Sequence, residues 1–398
     1  MVAINIDLVG QKGNVEPKLE PVLSQYEWAD GIYDSEQITA GLTNETHRVM
    51  TVGGNAIVQK INQGVFHDVE GLMDNVAMVT EHIARKAAAR GVPSEYVVNV
   101  VKTATGDNYA TVDGGEGKKP EAWRVLTEVP DGQILNKVGS YDQAEVVAWT
   151  FGQFSGELAD FPADQLHETI PDFHNTPKYF EKLIAAKENA VVNDPEADEL
   201  FGIISAESHR FGLIVDRLES GEIPMRVAHN DTKANNAIVH IDEEHPENNV
   251  PIAAIDLDTV MPGSILFDFG DGGGFACNNG KEDEMNPENV HLRRDLLAGW
   301  AAGYFRGMRD RGVEFTDSEV DHMVDSIVVL RAELAMRFLA DYYMGDPRFP
   351  KDENRPRHNL ERARAQTALV LDTIDHKDEL QEIIYRKRDE VRGEAIGE

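Results

Sequence analysis

A single cysteine, Cys277, stands in 398 residues, which excludes an internal disulfide and any cysteine-built zinc site. Cations are scarce too: 38 Lys and Arg face 71 Asp and Glu, for a net charge of −33. Nucleic acid and anionic lipid are held through Lys and Arg that neutralise phosphate, so neither is expected as a partner. No run of about 18 apolar residues occurs, and the opening MVAINIDLVGQKG lacks a charged start followed by an apolar core. A soluble protein in the cytoplasm is the expectation. Hydrophobic residues make up 41% of the chain, enough for a sizeable core, and the length points to two domains rather than one.

The first third reads as strand-rich. "ITAGLTNET" (38–46) is followed by "HRVMTVGGNAIVQKI", two β-prone runs split by Gly53, Gly54 and Asn55, a hairpin signal. Val69, Leu72, Met73, Val76, Val79, Ile83 and Ala87 recur at helical spacing, predicting a helix over 68–90 that Gly91-Val92-Pro93 ends. Further strands are expected at 96–103, 108–113 and 122–129. After "EVPDG" (128–132) helical patterns take over, at 141–159, 176–190, 196–219, 290–311, 317–345 and 356–385. The exception is 225–270, where short β-branched runs alternate with polar bends. Residues 278–289 read as a mobile acidic loop, and the tail from Asp375 as a solvated helix.

One bend is richer in polar chemistry than a turn requires. "HNDTKANN" spaces His229-x-Asp231-x4-Asn236, the H-x-D-x4-N arrangement of a kinase-type catalytic loop. Phosphoryl transfer asks for these residue types: an aspartate to accept the proton of the attacking hydroxyl, and an amide oxygen to reach a magnesium ion without a further full charge. A second metal ligand is expected on the next hairpin. "AAIDLDTV" supplies Asp256, flanked by apolar residues, where a carboxylate is costly unless paired or metal-bound. Asp258 follows two residues on. Singly, each has an ordinary account, as a turn cap or a satisfied core histidine; jointly they indicate a catalytic centre.

With these motifs in hand, the chain resembles the aminoglycoside phosphotransferase and choline kinase superfamily, small-molecule relatives of the protein kinases. "HNDTK", "IDLDTVMPGS" and "FDFGD" are similar to the N-acetylhexosamine 1-kinase branch. So are "GLTNETHRV" (41–49), "QKINQGVF" (59–66), "ADFPADQLHETIPDFHNT" (159–176), "RFLADYYMGD" (337–346) and "HNLERARAQ" (358–366). The resemblance spans roughly residues 30–372 and implies an α+β, two-lobed, protein-kinase-like fold. An antiparallel-sheet nucleotide lobe would cover 1–127 and a larger, mainly helical catalytic and substrate-binding lobe 128–398, with a hinge at 128–132. It implies ATP and Mg2+ as cofactors, a sugar substrate, and a monomer or homodimer.

The same resemblance implies residue roles. Asp231 would be the catalytic base and touch the acceptor; Asn236 and Asp256 would hold Mg2+, with Asp258 in support. His229 would order the loop and Lys233 approach the transferred phosphoryl. Gly41, Thr43, Asn44 and Thr46 would lie over the ATP phosphates, Val58 against adenine, and Lys60 on the α- and β-phosphates with Glu81 as its partner. Backbone groups of Glu128 and Val129 would read the adenine edge. Arg337 and Asp341, four apart on one helix face, are candidates for sugar hydroxyls, the alternative being a helix ion pair of about 0.3–0.5 kcal/mol; Tyr342 and Asp271 are further candidates.

One departure stands out. Where the sugar-kinase branch continues from "DFGD" into Ala-Ile-Arg, this chain has Gly272, Gly273 and Gly274. Flexible backbone is expected in place of a helix start, each glycine costing about 1 kcal/mol relative to alanine, with an arginine lost near the sugar. Acceptor choice therefore stays open between an N-acetylhexosamine, another sugar, an amino alcohol and an aminoglycoside. A non-catalytic nucleotide-binding regulator is the reading from a different class, as is a metal-dependent hydrolase built on Asp231, Asp256 and Asp258.

Overall fold

The structure, a computed structural model, describes residues 15–27, 31–39, 43–51 and 53–394. The chain divides into two compact units. One comprises residues 1–131, 164–170 and 257–259, the other 132–163, 171–256 and 260–398. The expected division at 127/128 cut the chain once. Here two short later pieces, one of them carrying Asp258, pack with the first unit.

The first unit is built on a five-stranded antiparallel sheet in the order β1-β2-β3-β5-β4. Its elements are α1 (Glu20–Leu23), β1 (Ile32–Ile38), β2 (Glu45–Thr51), β3 (Ala56–Lys60), α2 (Val69–Ala89), β4 (Ala110–Val112) and β5 (Glu121–Thr127). β2 and β3 form the predicted hairpin, with Val49 opposite Ala56. α2 begins where Asp68 accepts the Gly71 N–H at 2.9 Å, which satisfies one of the unpaired donors of a helix start. It ends with the Val92 N–H bonded back to Ala87 O at 3.0 Å. The strand expected at 96–103 is instead a 3-10 turn at Ser94–Tyr96 and an irregular run with one bridge, Val100 to Leu126.

Pairing fixes the faces of this sheet. Partners across an antiparallel ladder point to the same side. Val58 faces Val125 and His47, while Gln59 faces Arg124 and Thr46. Val58, Val125, Val49 and Ala56 join Leu19, Val22, Leu23 and Tyr26 of the α1 region in one apolar cluster. One face is therefore roofed by the N-terminal segment. The other carries Thr46, Arg48, Ile57, Gln59, Arg124 and Leu126.

The second unit is mainly helical. In chain order it holds β6 (Gln133–Ile134), α3 (Tyr141–Glu157), α4 (Thr176–Glu188), α5 (Pro195–Ala206), α6 (Val215–Ser220), β7 (Arg226–Ala228), β8 (Ala237–His240), β9 (Val250–Ala254) and β10 (Met261–Gly263). α7 (Ile265–Ala276), α8 (Arg294–Arg309), α9 (Asp317–Asp321), α10 (Met323–Tyr343), α11 (His358–Asp375) and α12 (Lys377–Glu394) follow. The helix expected over 196–219 breaks into α5 and α6, and that over 317–345 into α9 and α10 at His322. A core of Phe151, Phe269, Trp300 and Tyr304 lies between α3, α7 and α8. The tail is not a solvated helix: Leu380 and Ile384 on α12 are fully buried in that core, because apolar residues recur on one face of an otherwise charged segment. The acidic loop at 278–289 is anchored, with Arg355 on Asp283.

Two small ribbons position the polar bends, β10 with β7 and β6-β8-β9. Gly272–Gly274 do not open a flexible stretch; they lie inside α7. Packing overrides propensity there. A Cβ on Gly272 would overlap the Trp300 ring and lie 2.6 Å from the Thr232 carbonyl, and one on Gly274 would lie 2.7 Å from Arg331 Nε. Among the described residues no helix is long and apolar enough to cross a membrane.

Candidate active site

In the second unit, the bend after β7 and the end of the β8–β9 hairpin come together. Ala237 pairs with Ala254, and the Ile255 N–H donates to Asn236 O at 2.9 Å, so Asn236 and Asp256 leave the same end of the ribbon. The Asn236 amide donates to the Asp231 backbone O at 2.9 Å and to its Oδ2 at 3.1 Å. His229 Nδ1 accepts the Asp231 N–H at 3.3 Å, which leaves Nε2 as the donor to Ile255 O at 2.9 Å. One imidazole thus stitches the bend to the strand that delivers Asp256.

Two non-glycine residues here adopt left-handed backbone, Asn230 at φ +65° and Asp256 at φ +60°. Such conformations cost about 1–3 kcal/mol each and persist only where the surroundings dictate them. For the bend, those surroundings include α7. Asp268 accepts the N–H of His229 at 2.9 Å and of Asn230 at 2.7 Å, and the Thr232 hydroxyl donates to Asp268 O at 2.6 Å. Burial raises the Asp268 carboxyl to about 6, although His229 and the two N–H bonds pull the other way. Asp271, one turn on, accepts the Thr232 N–H at 3.1 Å and pairs with Arg331 from α10. Burial alone would raise Asp271, but Arg331, Lys233 and His174 outweigh it and hold the carboxyl below its ordinary range. The glycines make room for this: Arg331 crosses over Gly274 to reach Asp271.

Lys233 bonds Asp231 at 2.7 Å. Burial would lower its pKa, yet Asp231, Asp271 and Asp256 together raise it above the ordinary lysine value, so the ammonium is fully charged. Among the described residues no three His, Cys, Asp or Glu side chains gather as a metal site. The candidate set is the Asp256 carboxylate and the Asn236 amide, both hard oxygen donors of the kind magnesium takes. The Asn236 nitrogen is committed to Asp231, which leaves its oxygen as the atom a metal could take.

Sequence reasoning missed Asp268, whose signal is a lone carboxylate in the apolar run "ILFDFG". It also missed a buried group beside the bend. His174, at φ +57°, has its Nε2 3.2 Å from Asn230 O and Nδ1 3.2 Å from Glu333 Oε1. Glu333 takes the Thr176 hydroxyl as well, at 3.3 Å. Burial lowers the His174 pKa, but Glu333, with Asp271 and the Asn230 carbonyl, more than reverses it, leaving it raised. No pattern of spacing links positions 174 and 333.

Arg337 leans back toward Glu333, 3.8 Å away, and lies over the rings of Tyr179 and Phe349. Asp341, expected beside it, is buried and accepts the N–H groups of Arg348 at 3.1 Å and Phe349 at 3.0 Å; its carboxylate closes the turn after α10. Burial raises its pKa. Tyr342 donates to Asp194 at 2.8 Å.

In the first unit the expected pairing of Lys60 with Glu81 is not formed. Lys60 bonds Glu121, and Glu81 bonds Lys102 at 2.9 Å. Strand parity is the reason: Lys60 shares a face with Val58, which is fully buried under the α1 region rather than open to a purine. The opposite face carries a polar chain. Gln59 donates to the Thr46 hydroxyl at 3.1 Å and accepts from Arg124 Nε at 2.9 Å. Arg124 pairs with Asp258, which accepts the Asn44 amide at 2.6 Å, and Asn44 Oδ1 accepts the Asn62 N–H at 3.0 Å. Thr43 O takes the Asn62 amide at 3.1 Å; Gly41 lies outside the described residues. Arg124 is 1% and Asp258 4% exposed, so removing either partner would strand a buried charge at a cost of about 3–5 kcal/mol. Glu128 is held by Arg48 at 2.7 Å, and its N–H donates to Asn55 O at 3.2 Å. Val129, beside it, is 8% exposed.

Several solved structures share this fold. A microcompartment-associated aminopropanol kinase superposes with a TM-score of 0.58 at 16% identity, over 90% of this chain and 96% of its own. The choline kinase of Cryptosporidium parvum Iowa II gives 0.55 at 15%, over 91% and 95%. The amicoumacin kinase hAmiN, in complex with AMP-PNP, Ca2+ and Ami, gives 0.52 at 11%, over 83% and 87%. The family described as APH, phosphotransferase enzyme family, matches residues 34–312, most of the chain, including the bend, the ribbon and all but the first two residues of the sheet described above. The chain belongs to that phosphotransferase enzyme family.

Proposed function

We propose that the protein transfers the γ-phosphoryl group of ATP to the anomeric hydroxyl of an N-acetylhexosamine, giving the sugar 1-phosphate. The observation that carries the chemistry is the contact of Asn236 with Asp231 at the ribbon end from which Asp256 also departs. Asp231 is the base: its carboxylate, 24% exposed, orients the acceptor hydroxyl and takes its proton. Asn236 and Asp256 would hold magnesium, which would supply neutralising charge at the phosphates. Lys233, kept charged by three carboxylates, faces the developing charge on the transferred group. Little covalent chemistry is asked of the protein; positioning and charge neutralisation dominate.

The acceptor reading rests on the stretches that resemble the sugar-kinase branch and on Arg337, which keeps a third of its side chain exposed as a donor for hydroxyls. An amino alcohol is the second reading, favoured by the choline and aminopropanol kinases among the fold relatives.

A coupled ADP-release assay with ATP and Mg2+ decides between them. Turnover is expected with GlcNAc and GalNAc, little with choline or kanamycin, and a loss of roughly 10²–10⁴ in rate for Asp231→Asn. Turnover with choline alone would overturn the sugar assignment, and full activity of Asp231→Asn would overturn the base.

A further inference from the structure

We propose that Arg124 on β5, and not Lys60 on β3, is the cation that organises nucleotide binding in the first unit, acting as a positioning residue through Asp258 and Asn44. The inference rests on the ATP reading above and identifies which face of the sheet serves it.

Three observations converge. First, the face holding Lys60 is closed at its centre, with only the Lys60 end reaching solvent. Val58 and Val125 beside it are fully buried against Leu19, Val22 and Tyr26, and the Lys60 ammonium is engaged by Glu121. Second, the opposite face is the half-open one: Ile57 and Leu126, paired across the ladder, are only partly buried and offer an apolar platform with no roof from the α1 region. Third, on that face one continuous polar chain runs from Asn62 through Asn44, Asp258, Arg124 and Gln59 to Thr46.

The chemistry favours arginine for this task. Its planar fork keeps two partners in fixed directions at once, where an ammonium would act as a point charge. Here one nitrogen holds Gln59 and another Asp258. Asp258 in turn fixes Asn44, in the segment expected over the phosphates, and lies two residues along the chain from Asp256. Arg124 thereby sets the segment at 43–46 through Asp258 and Asn44, while itself remaining 1% exposed. It acts through the groups it holds and not by direct contact with the nucleotide.

The test is equilibrium binding of ADP and AMP-PNP, with Mg2+, by isothermal titration on the full chain. Wild type is compared with Arg124→Lys, Arg124→Met, Asn44→Ala and Lys60→Met, and each variant's melting temperature is recorded. We expect Arg124→Lys to weaken nucleotide binding by about tenfold, since charge is kept and the fork is lost. Asn44→Ala should weaken it several-fold while melting near wild type, and Lys60→Met should stay within about twofold, as an exchange away from the site. Arg124→Met should bind more weakly than Arg124→Lys, the conservative change giving partial rescue, and KM for ATP should rise more than kcat falls. Weak binding by Lys60→Met with normal binding by Arg124→Lys overturns the proposal. So does a lowered melting temperature in Arg124→Lys and Asn44→Ala with unchanged nucleotide affinity, the mark of a purely structural role. Failure of the wild-type chain to bind any adenine nucleotide overturns instead the ATP reading on which this rests.

Discussion

The bend at 229–236 and the strand at 56–60 carry motifs of similar length, yet they behave differently. In residues 229–236 the spaced residues meet one another within the bend, His229, Asn236 and Lys233 all on Asp231, while His229 Nε2 and the Thr232 hydroxyl reach out to Ile255 and Asp268. Spacing along the chain is then nearly the same thing as geometry. In residues 56–60 a side chain's surroundings depend on which face of the sheet it occupies and what packs there. Lys60 matches a familiar strand pattern but faces the roofed side, while Gln59 and its cross-strand partner Arg124 face Asp258. A bend encodes its own contacts, whereas a strand borrows them from its neighbours.

That contrast can be broken from behind the bend. Gly272→Ala places a methyl against the Trp300 ring and 2.6 Å from the Thr232 carbonyl. Overpacking of this kind costs about 1–3 kcal/mol, more than the roughly 1 kcal/mol that alanine gains over glycine in a helix. A lower melting temperature and a reduced kcat are expected, with nucleotide affinity near wild type because the first unit is untouched. A more stable Gly272→Ala protein would contradict the packing account of α7.

A gentler probe is pH. Asp268 holds the N–H groups of His229 and Asn230 with both oxygens, and its carboxyl is raised to about 6. Protonation turns one acceptor into a donor, so kcat should fall as pH drops through about 6, with affinity for nucleotide little changed. The stability sign is opposite. A carboxyl whose folded pKa exceeds its unfolded value stabilises the fold at low pH, and that contribution is lost as pH rises through about 6. Loss of activity on the acid side is therefore not unfolding, which thermal melts at pH 5.5 and 7.5 check directly. An acid limb at the same pH in Asp268→Asn would assign it to another group.

How much was legible follows from the same physics. The β2–β3 hairpin and α2 were readable because turn residues, a capping Asp68 and a 3.6-residue apolar period all agree. That Asp231 and Asn236 lie together was readable through fixed spacing, and Asp256 was marked by its apolar flanks. The break at His322 was hidden inside a continuous apolar pattern. Gly272–Gly274 misled because propensity favours flexibility there, while Trp300 and Arg331, far along the chain, need the space. His174 with Glu333 and Arg124 with Asp258 are pairs separated by more than 130 residues, and no local pattern joins them. α12 was misjudged because its charge obscured the buried stripe of Leu380 and Ile384.

Asn236 and Asp256 together would hold the divalent ion used with the triphosphate. Electron paramagnetic resonance of Mn2+ bound with AMP-PNP measures it most directly, comparing wild type with Asp256→Ala. The account predicts a protein- and nucleotide-dependent bound Mn2+ signal in wild type that is largely lost in the folded variant. An undiminished signal in Asp256→Ala would contradict it.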